Sequence, residues 1–410
     1  VLLREPQGLA LSSDGNNLYI SDTRNHAIRA ADLTTREVTT IAGTGSRALT
    51  LPVAGAPGRV TDLASPWGLV ESAGLLYVAM AGTHQIWTVD IALNTVSVFV
   101  GTGREGIQDG PPDRATLAQP SGLTLDGRIL YWVDPESSSV RRVPIDGSGE
   151  VETLVGTGLF DFGDADGVGA EALLEHPQGI VSASGTLYVA DTYNHKLRSV
   201  DPLTGEVRVV AGGGQAGFDD GPEGGSLLSE PNGLSAANGI LYIADTNNHV
   251  IRLMNLETNS VTTLELSNLA VALQGVQGRA LKVSLPGQTV SPDTSNLTIR
   301  LVAPEHFHLN SLAPSRLTLT SSNPPALALG QDSVAWTTDE PLVEILVPVT
   351  VSGGQAILTG QGLVYYCRTG EEAICLIESV DISLPVVIEA GGSPDGLILD
   401  YDLPDPPISN

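Results

Sequence analysis

The stretch LYIADTNNHVIR at Leu241–Arg252 decides the fold, because copies of it recur along the first two-thirds of the chain. Close copies are LYISDTRNHAIR at Leu18–Arg29 and LYVADTYNHKLR at Leu187–Arg198, and weaker ones are LYVAMAGTHQIW at Leu76–Trp87 and LYWVDPESSSVR at Leu130–Arg141. The tyrosines of the five copies lie 58, 54, 57 and 54 residues apart. A fixed period of this size indicates stacked supersecondary units, since one such unit cannot bury its apolar face alone.

Each period contains four short segments that are typical of β-strands. The first follows a Pro-x-Gly opening such as Pro120–Leu123, the second is the LYIAD run, the third follows the Asn-His pair, and the fourth is a β-branched run such as Val207–Ala211. Turn residues separate these segments, and 3.6-residue periodicity is absent, which disfavours a helical repeat. Four antiparallel strands repeated about an axis form a β-propeller blade. The sequence therefore predicts an all-β protein with a propeller over residues 1–267.

Composition and charge limit the classes of function. The 410 residues are 41% hydrophobic and include 46 glycines and 26 prolines, which suits two or three β-rich domains. No run of 18 apolar residues occurs, so we expect no membrane partner. The formal net charge is −27, which would repel nucleic acid. A protein or peptide is the partner class that remains.

The Asn-His pair of the repeat resembles the motif of the NHL family. It occurs as Asn25-His26, Asn194-His195 and Asn248-His249, in part as His84, and is replaced by serines in the third unit. The spacer GTGREGIQDGPPDRATLAQP at Gly101–Pro120 is similar to a narrower group of NHL-repeat proteins. Those proteins have an N-terminal thioredoxin-like domain, a six-bladed propeller and a C-terminal β domain. The resemblance implies a sixth blade and a thioredoxin-like domain upstream of Val1, and a closed five-bladed ring is the alternative.

The polar residues of the repeat recur once per unit, which indicates a structural role. We expect the aspartates to accept backbone N–H groups and the histidines and arginines to donate within their blade. The set comprises Asp22, Asn25, His26, Arg29, His84, Asp134, Asp191, Asn194, His195, Arg198, Asp245, Asn248, His249 and Arg252. No nucleophile–base constellation stands out, so the sequence favours a binding protein without a cofactor, although an enzyme is not excluded.

Strand alternation places the second-to-third loops and the long spacers between blades on one face, which we call the loop face. Loops on a rigid scaffold commonly carry binding residues. The acidic spacers supply partner-binding candidates: Asp161, Asp164, Asp166, Asp219 and Asp220. The first three have a spacing that could hold Ca²⁺, but the twelve-residue EF-hand pattern is missing. A solvated acidic loop is the favoured interpretation.

After the repeats, alternating segments predict an antiparallel, immunoglobulin-like β-sandwich over residues 268–390. Residues 391–410 read as an acidic, proline-rich tail that does not pack firmly. Cys367 and Cys375 fall on two strands joined by a turn, and hairpin pairing can bring their Cα atoms within the roughly 4.4–6.8 Å of a disulfide. The pair loosely resembles the redox-active pair in the N-terminal domain of DsbD-type reductases. A structural role and a redox role with a thioredoxin-like domain are both open.

Overall fold

The computed structural model describes residues 2–264, 281–310, 315–368, 375–393 and 396–404. They belong to two compact units, Val1–Leu264 and Glu265–Asn410. Among the described residues, no helix combines the length and the apolar character that a bilayer crossing needs.

The first unit contains five antiparallel sheets, one for each repeat, which we number blades 1 to 5. Blade 1 consists of β1 (Gly8–Leu11), β2 (Asn17–Asp22), β3 (Ala27–Asp32) and β4 (Val38–Ala42). Blade 2 consists of β5 (Ala56–Pro57), β6 (Pro66–Ser72), β7 (Leu75–Met80), β8 (Gln85–Asp90) and β9 (Thr95–Val100). Blade 3 consists of β10 (Leu123–Asp126), β11 (Ile129–Asp134), β12 (Ser139–Pro144) and β13 (Glu152–Val155).

Blade 4 consists of β14 (Gly167–Val168), β15 (Gly179–Ala183), β16 (Thr186–Asp191), β17 (Lys196–Val200) and β18 (Glu206–Ala211). Blade 5 consists of β19 (Pro231–Ala237), β20 (Ile240–Asp245), β21 (Val250–Asn255) and β22 (Val261–Thr263). Short 3-10 helices occupy Thr23–Asn25, Gly58–Val60, Ala81–Thr83, Pro135–Ser137, Gly169–Glu171 and Thr246–Asn248. The four predicted strands of every repeat are therefore present.

Apolar cores lie between neighbouring blades. Tyr19 and Ile28 of blade 1 pack with Leu76 and Trp87 of blade 2, and the same arrangement follows between each later pair. The repeat tyrosine faces the following blade, whereas the leucine beside it faces the preceding one, because adjacent strand residues point to opposite sides of a sheet. This is the blade-on-blade packing of the predicted propeller.

The spacer before a blade covers that blade's outer edge, which the sequence did not predict. In blade 2, β5 pairs with β9, and in blade 4, β14 pairs with β18. Single bridges, Gly110 to Val151 and Gly221 to Val261, do the same in blades 3 and 5. The chain thus crosses to the outer strand before it enters the inner one. A covered edge strand cannot pair with another chain.

A close glycine contact joins the inner strands of consecutive blades. A Cβ added at Gly8, Gly68, Gly122 or Gly179 would lie 1.9 to 2.7 Å from a backbone carbonyl oxygen of the next blade. At Gly233 of blade 5 the nearest atom is Ala244 Cβ of the same blade, at 3.8 Å. Leu9 of blade 1 and Tyr242 of blade 5 are exposed, although their counterparts in the other blades pack in the cores. Blades 1 and 5 therefore do not join as the other neighbours do, and the closed five-bladed ring is wrong.

The second unit is a two-sheet sandwich around one apolar core. The first sheet contains β23 (Leu281–Ser284), β24 (Gln288–Val290), β26 (Phe307–Leu309), β27 (Ser315–Ser321), β29 (Ser333–Trp336), β31 (Gly354–Arg368) and β32 (Cys375–Ile388). The second contains β25 (Asn296–Val302), β28 (Leu327–Leu329), β30 (Leu342–Val351) and β33 (Leu397–Asp402). Three pairings, β23 with β32, β24 with β32 and β25 with β33, are parallel, so the sheets are not wholly antiparallel.

Part of the predicted tail is a strand of this sandwich. Leu397–Asp402 pairs in parallel with β25, and Leu397, Leu399 and Tyr401 are buried. The expectation that residues 391–410 as a whole do not pack firmly is therefore wrong. The apolar side chains alternate with more exposed ones, which gives this segment one face for the core despite its acidic composition.

Candidate functional site

The motif aspartates hold the turns of the loop face. Asp191 is fully buried and accepts the Glu175 N–H at 2.7 Å, the Asn194 side-chain amide at 2.9 Å and Arg198 Nε at 2.8 Å. Asp22 and Asp245 accept the same three kinds of donor. Burial raises the pKa of the Asp191 carboxyl, and the charge of Arg198 opposes that rise. The aspartates thus take the role expected from the sequence.

The motif arginines tie each spacer to its blade. Arg252 donates to the Asp219 carbonyl at 2.7 Å and to the Asp220 carboxylate at 2.8 Å. Arg141 reaches Asp109 at 2.9 Å, and Arg198 pairs with Asp166. Sequence reasoning overlooked Asp109 in this role, although the Asp-Gly step shared by three spacers, Asp109-Gly110, Asp166-Gly167 and Asp220-Gly221, marks it.

Blade 2 replaces the ion pair by an apolar pair. Met80 stands where the other repeats have aspartate, Trp87 stands where they have arginine, and both are fully buried. Trp87 Nε1 donates to Gln85 Oε1 at 3.0 Å, and Gln85 Nε2 donates to the Gly101 carbonyl at 2.8 Å. A buried ion pair can be exchanged for apolar residues of similar volume when both partners change together. The exchange indicates that the aspartate and arginine of the other blades have a structural role within the blade.

The motif histidines join consecutive blades. In blades 1, 2 and 4 the histidine Nδ1 accepts a backbone N–H from the residue before the opening proline of the next blade. The pairs are His26 with Ser65 at 3.1 Å, His84 with Gln119 at 3.2 Å and His195 with Glu230 at 3.1 Å, and in blade 3 Ser138 Oγ accepts from His176 at 3.2 Å. The expectation that these histidines donate within their own blade is wrong. The tie needs a neutral ring, because a protonated Nδ1 has no lone pair.

Acidification should loosen the tie between blades 1 and 2. Burial and then the charge of Arg47 lower the pKa of His26. The stability that the neutral ring contributes is complete above its ordinary pKa of about 6.5 and is lost as the pH falls through the lowered folded value. We expect the melting temperature to drop more for the wild type than for His26→Asn between neutral and weakly acidic pH. Equal drops in circular-dichroism melts would contradict this role for His26.

Spacers and second-to-third turns meet on one face. The Phe160 N–H donates to the Glu136 carbonyl at 2.9 Å. The side-chain amides of Asn194 and Asn248 donate to the carbonyls of Gly163 and Gly217 at 2.7 and 2.8 Å. Each bond joins a spacer to a turn, so the two kinds of loop share a face and brace each other.

Three of the five candidate partner-binding acids are engaged within the chain. Asp164 pairs with Lys196 and Arg198, and Asp166 and Asp220 pair with arginines of their own blades. The acidic sector is therefore partly neutralised, although all three carboxylates are exposed at the surface.

The other two candidates, Asp161 and Asp219, make no ion pair in the part of the chain that the structure describes. Asp161 accepts the Thr157 hydroxyl at 3.0 Å. Because Asp164 and Asp166 turn toward Arg198, the calcium candidates Asp161, Asp164 and Asp166 do not converge, and no metal-binding group is found among the described residues.

The centre of the propeller is lined by the start of each inner strand. The residues before the five glycines are Gln7, Trp67, Ser121, Gln178 and Asn232. They offer amides, a hydroxyl and an indole, and the lining within the described residues includes no acid or base. This passage can donate and accept hydrogen bonds, but its side chains cannot transfer a proton at neutral pH.

In the second unit the two cysteines lie on neighbouring, paired strands. Cys367 on β31 lies directly opposite Cys375 on β32 in the antiparallel ladder, and Cys367 is disulfide-bonded. Cys367 is also buried. The hairpin pairing expected from the sequence is present.

Comparison with known proteins identifies the repeat and several relatives. The sequence model of the NHL repeat matches residues 3–30. The chain is 34% identical over 409 residues to the chloroplastic protein SUPPRESSOR OF QUENCHING 1 of Arabidopsis thaliana, covering 94% of this chain and 38% of that protein. It is 34% identical to NHL repeat-containing protein 2 of Homo sapiens (93% and 59% covered) and 32% identical to that of Gallus gallus (99% and 62% covered).

Among solved structures, a chain of a nidogen/laminin complex aligns with 64% of this chain, and 80% of that chain is covered, at 20% identity and a TM-score of 0.46. The present chain spans between 38% and 62% of the length of the three relatives. The repeat and the identity over nearly the whole chain carry the assignment. The chain contains an NHL repeat, its repeats form propeller blades, and it is similar over nearly its whole length to NHL repeat-containing protein 2.

Proposed function

We propose that this chain is a non-enzymatic scaffold that binds a protein or peptide partner through the loop face of its propeller. The observation that carries the proposal is that the polar residues of the repeats are used inside the propeller, whereas the variable loops remain at its surface. The recurring Asp, Asn, His and Arg side chains are used in bonds within and between blades, as Asp191 and His195 show. The spacers and turns, which differ from blade to blade, remain on a braced face, where binding residues are usually found.

The five candidate acids remain part of this proposal, but they differ in how directly their replacement would report on partner binding. Asp164, Asp166 and Asp220 hold arginines, so replacing them would disturb the spacers as well as any partner contact. Asp161 and Asp219 are exposed and make no ion pair within the described residues, which makes them better probes of binding.

A charge-matched pair of triple variants tests the loop face. Asp161→Asn, Asp219→Asn and Glu223→Gln remove three exposed charges there. Glu37→Gln, Glu150→Gln and Glu257→Gln remove three exposed charges near the third-to-fourth turns of the opposite face. In crosslinking followed by mass spectrometry, we expect the first variant alone to lose recovered partners, because a negative patch steers and orients a complementary surface. Equal recovery from both variants would remove the loop-face acids from the proposal.

A second candidate function is an accessory role in thiol–disulfide exchange, working with a thioredoxin-like domain. The observation that favours it is the cross-strand position of Cys367 and Cys375. It is tested by the reduction potential of the pair, measured in glutathione or dithiothreitol buffers. A redox role predicts a value in the range of known exchange proteins, roughly −120 to −270 mV, whereas a value below about −300 mV would mark a structural bond.

A further inference from the structure

The blade-4 sector of the loop face carries a cluster of exposed aromatic side chains. Phe160 is 63% exposed, Phe162 is 56% exposed and Tyr193 is 50% exposed. They account for three of the four exposed aromatic side chains among the described residues, in a chain that is only 4% aromatic. Concentrated apolar exposure on a folded protein is typical of an interaction site.

The cluster is continuous across two loops. The His176 ring lies 6.4 Å from Phe162 and 4.8 Å from Tyr193, centroid to centroid, and so bridges the spacer and the second-to-third turn. His176 Nδ1 is buried without a hydrogen-bond partner in the described part of the chain. Phe160 is fixed to the neighbouring turn by its N–H bond to the Glu136 carbonyl.

The two phenylalanines lie where the spacer before blade 4 contains an insertion that the other spacers lack. Seven positions separate Gly156 from Gly163, whereas five separate Gly101 from Gly106 and Gly212 from Gly217. The two additional residues fall in the segment LFDF, residues 159–162. The other spacers pair with the outer strands of their blades without these two additional residues, so that pairing does not require the insertion.

Phe160 also has an unfavourable backbone conformation. Its φ is +62°, and the second left-handed residue of the other three spacers is a glycine: Gly45, Gly103 and Gly214. A bulky residue in this region is strained, and such strain concentrates at functional sites. Burial does not compensate for it here, because the ring points largely to solvent.

The charge around the cluster indicates what it would bind. Asp161 lies between the two phenylalanines in the sequence, and Glu175 is bonded through its backbone carbonyl to the Tyr193 N–H, so two acidic residues belong to the loops that carry the cluster. Aromatic faces and carboxylates together attract a guanidinium or an ammonium group. The next spacer contains an internal example, in which the Arg252 guanidinium lies 4.9 Å from the centre of the Phe218 ring.

We propose that Phe160, Phe162 and Tyr193 form the binding site for an arginine- or lysine-bearing segment of a partner protein. This inference rests on the proposed scaffold function and specifies its partner. The rings contact the alkyl stem and the planar or ammonium head of the basic residue, and Asp161 faces its charge. Arginine fits better than lysine because its flat guanidinium stacks on rings.

The test selects random dodecapeptides displayed on phage against the full chain and measures the affinity of synthetic copies by fluorescence anisotropy. We expect the selected peptides to carry arginine or lysine. Replacing that residue by citrulline or acetyl-lysine should weaken binding by about tenfold or more, and so should Phe162→Ala or Tyr193→Ala. Leu203→Ala is the matched control, since Leu203 is 84% exposed in the same blade but near its third-to-fourth turn.

Phe160→Gly separates binding from stability. Glycine accepts the left-handed backbone, so this variant should melt at a higher temperature and still lose affinity for the selected peptides. A phenylalanine with only a structural role would lower the melting temperature when removed. A gain in stability without loss of binding would exclude Phe160 from the site.

The outcomes distinguish this inference from the broader proposal. Peptides that tolerate the aromatic substitutions but are weakened by the Asp161, Asp219 and Glu223 triple variant would overturn the aromatic site and leave the loop-face scaffold standing. Selected peptides without basic residues would also overturn it. A selection that enriches nothing would count against both.

Discussion

Arg198→Ala is expected to lower the free energy of unfolding of the propeller unit by about 3–5 kcal/mol, because it leaves a buried carboxylate without its counter-charge. Asp191 is fully buried, and Arg198 is its cationic partner at 2.8 Å. The measurement is urea unfolding followed by circular dichroism. Arg208→Ala is the control, since Arg208 pairs with Glu206 on the surface and is 69% exposed. Its loss should leave the free energy of unfolding nearly unchanged, because exposed ion pairs contribute little.

Blade 2 supplies the compensating pair for the same experiment. Asp191→Met combined with Arg198→Trp copies Met80 and Trp87, so most of the lost stability should return. Recovery is expected because a buried ion pair gains little over well-packed apolar residues once both charges are removed. A double variant no more stable than Arg198→Ala would show that the two blades differ in more than this pair.

Gly179→Ala is expected to destabilise the propeller unit by more than about 3 kcal/mol, beyond the usual cost of overpacking. The new Cβ would lie 1.9 Å from the Asn232 carbonyl oxygen, so blades 4 and 5 would have to separate. The carbonyl belongs to the backbone of an inner strand and cannot rotate away as a side chain would.

Gly233→Ala is the matched control for that substitution. It stands at the same position of blade 5, where the nearest atom to a new Cβ is Ala244 Cβ at 3.8 Å. This variant should be neutral or slightly stabilising, because alanine restricts the unfolded chain. Comparable losses from both variants in thermal melts would refute the close inner-strand contact as the cause.

The propeller could be predicted from the sequence because its signal is repeated. Five tyrosines at a nearly constant period, each within an apolar strand pattern, specify blades even where one copy, Leu76–Trp87, lacks the aspartate and the arginine. The short strands β5 and β14 could not be predicted in this way, since two residues carry no periodicity. Their pairing depends on where the spacer lies in space.

The roles of the polar side chains were harder to predict. Asp191 accepts a backbone N–H as expected, since a carboxylate in a turn has few alternatives. The direction of the His26 hydrogen bond was predicted wrongly, because a neutral imidazole can either donate or accept a hydrogen bond and its partner Ser65 is 39 residues away. Asp166 and Asp220 looked like free surface acids because the sequence does not show that Arg198 and Arg252 extend beneath them.

The aromatic cluster was missed for a related reason. Phe160 and Tyr193 are 33 residues apart, and neither belongs to the conserved part of the repeat pattern within this chain. The available signal was the two-residue difference in glycine spacing between Gly156 and Gly163. It becomes informative only when the spacers are aligned with one another and the turn of the same blade is known to lie beside them.

The histidine and serine ties always run from one blade to the next, from His26 through His84, Ser138 and His195. These ties couple each blade to its nearest neighbours along the chain. Within this stretch of chain, blades 2 to 4 are tied on both sides, so their amide hydrogens should exchange more slowly than those of blades 1 and 5. Heating this 410-residue stretch on its own should therefore open blades 1 and 5 before blades 2 to 4.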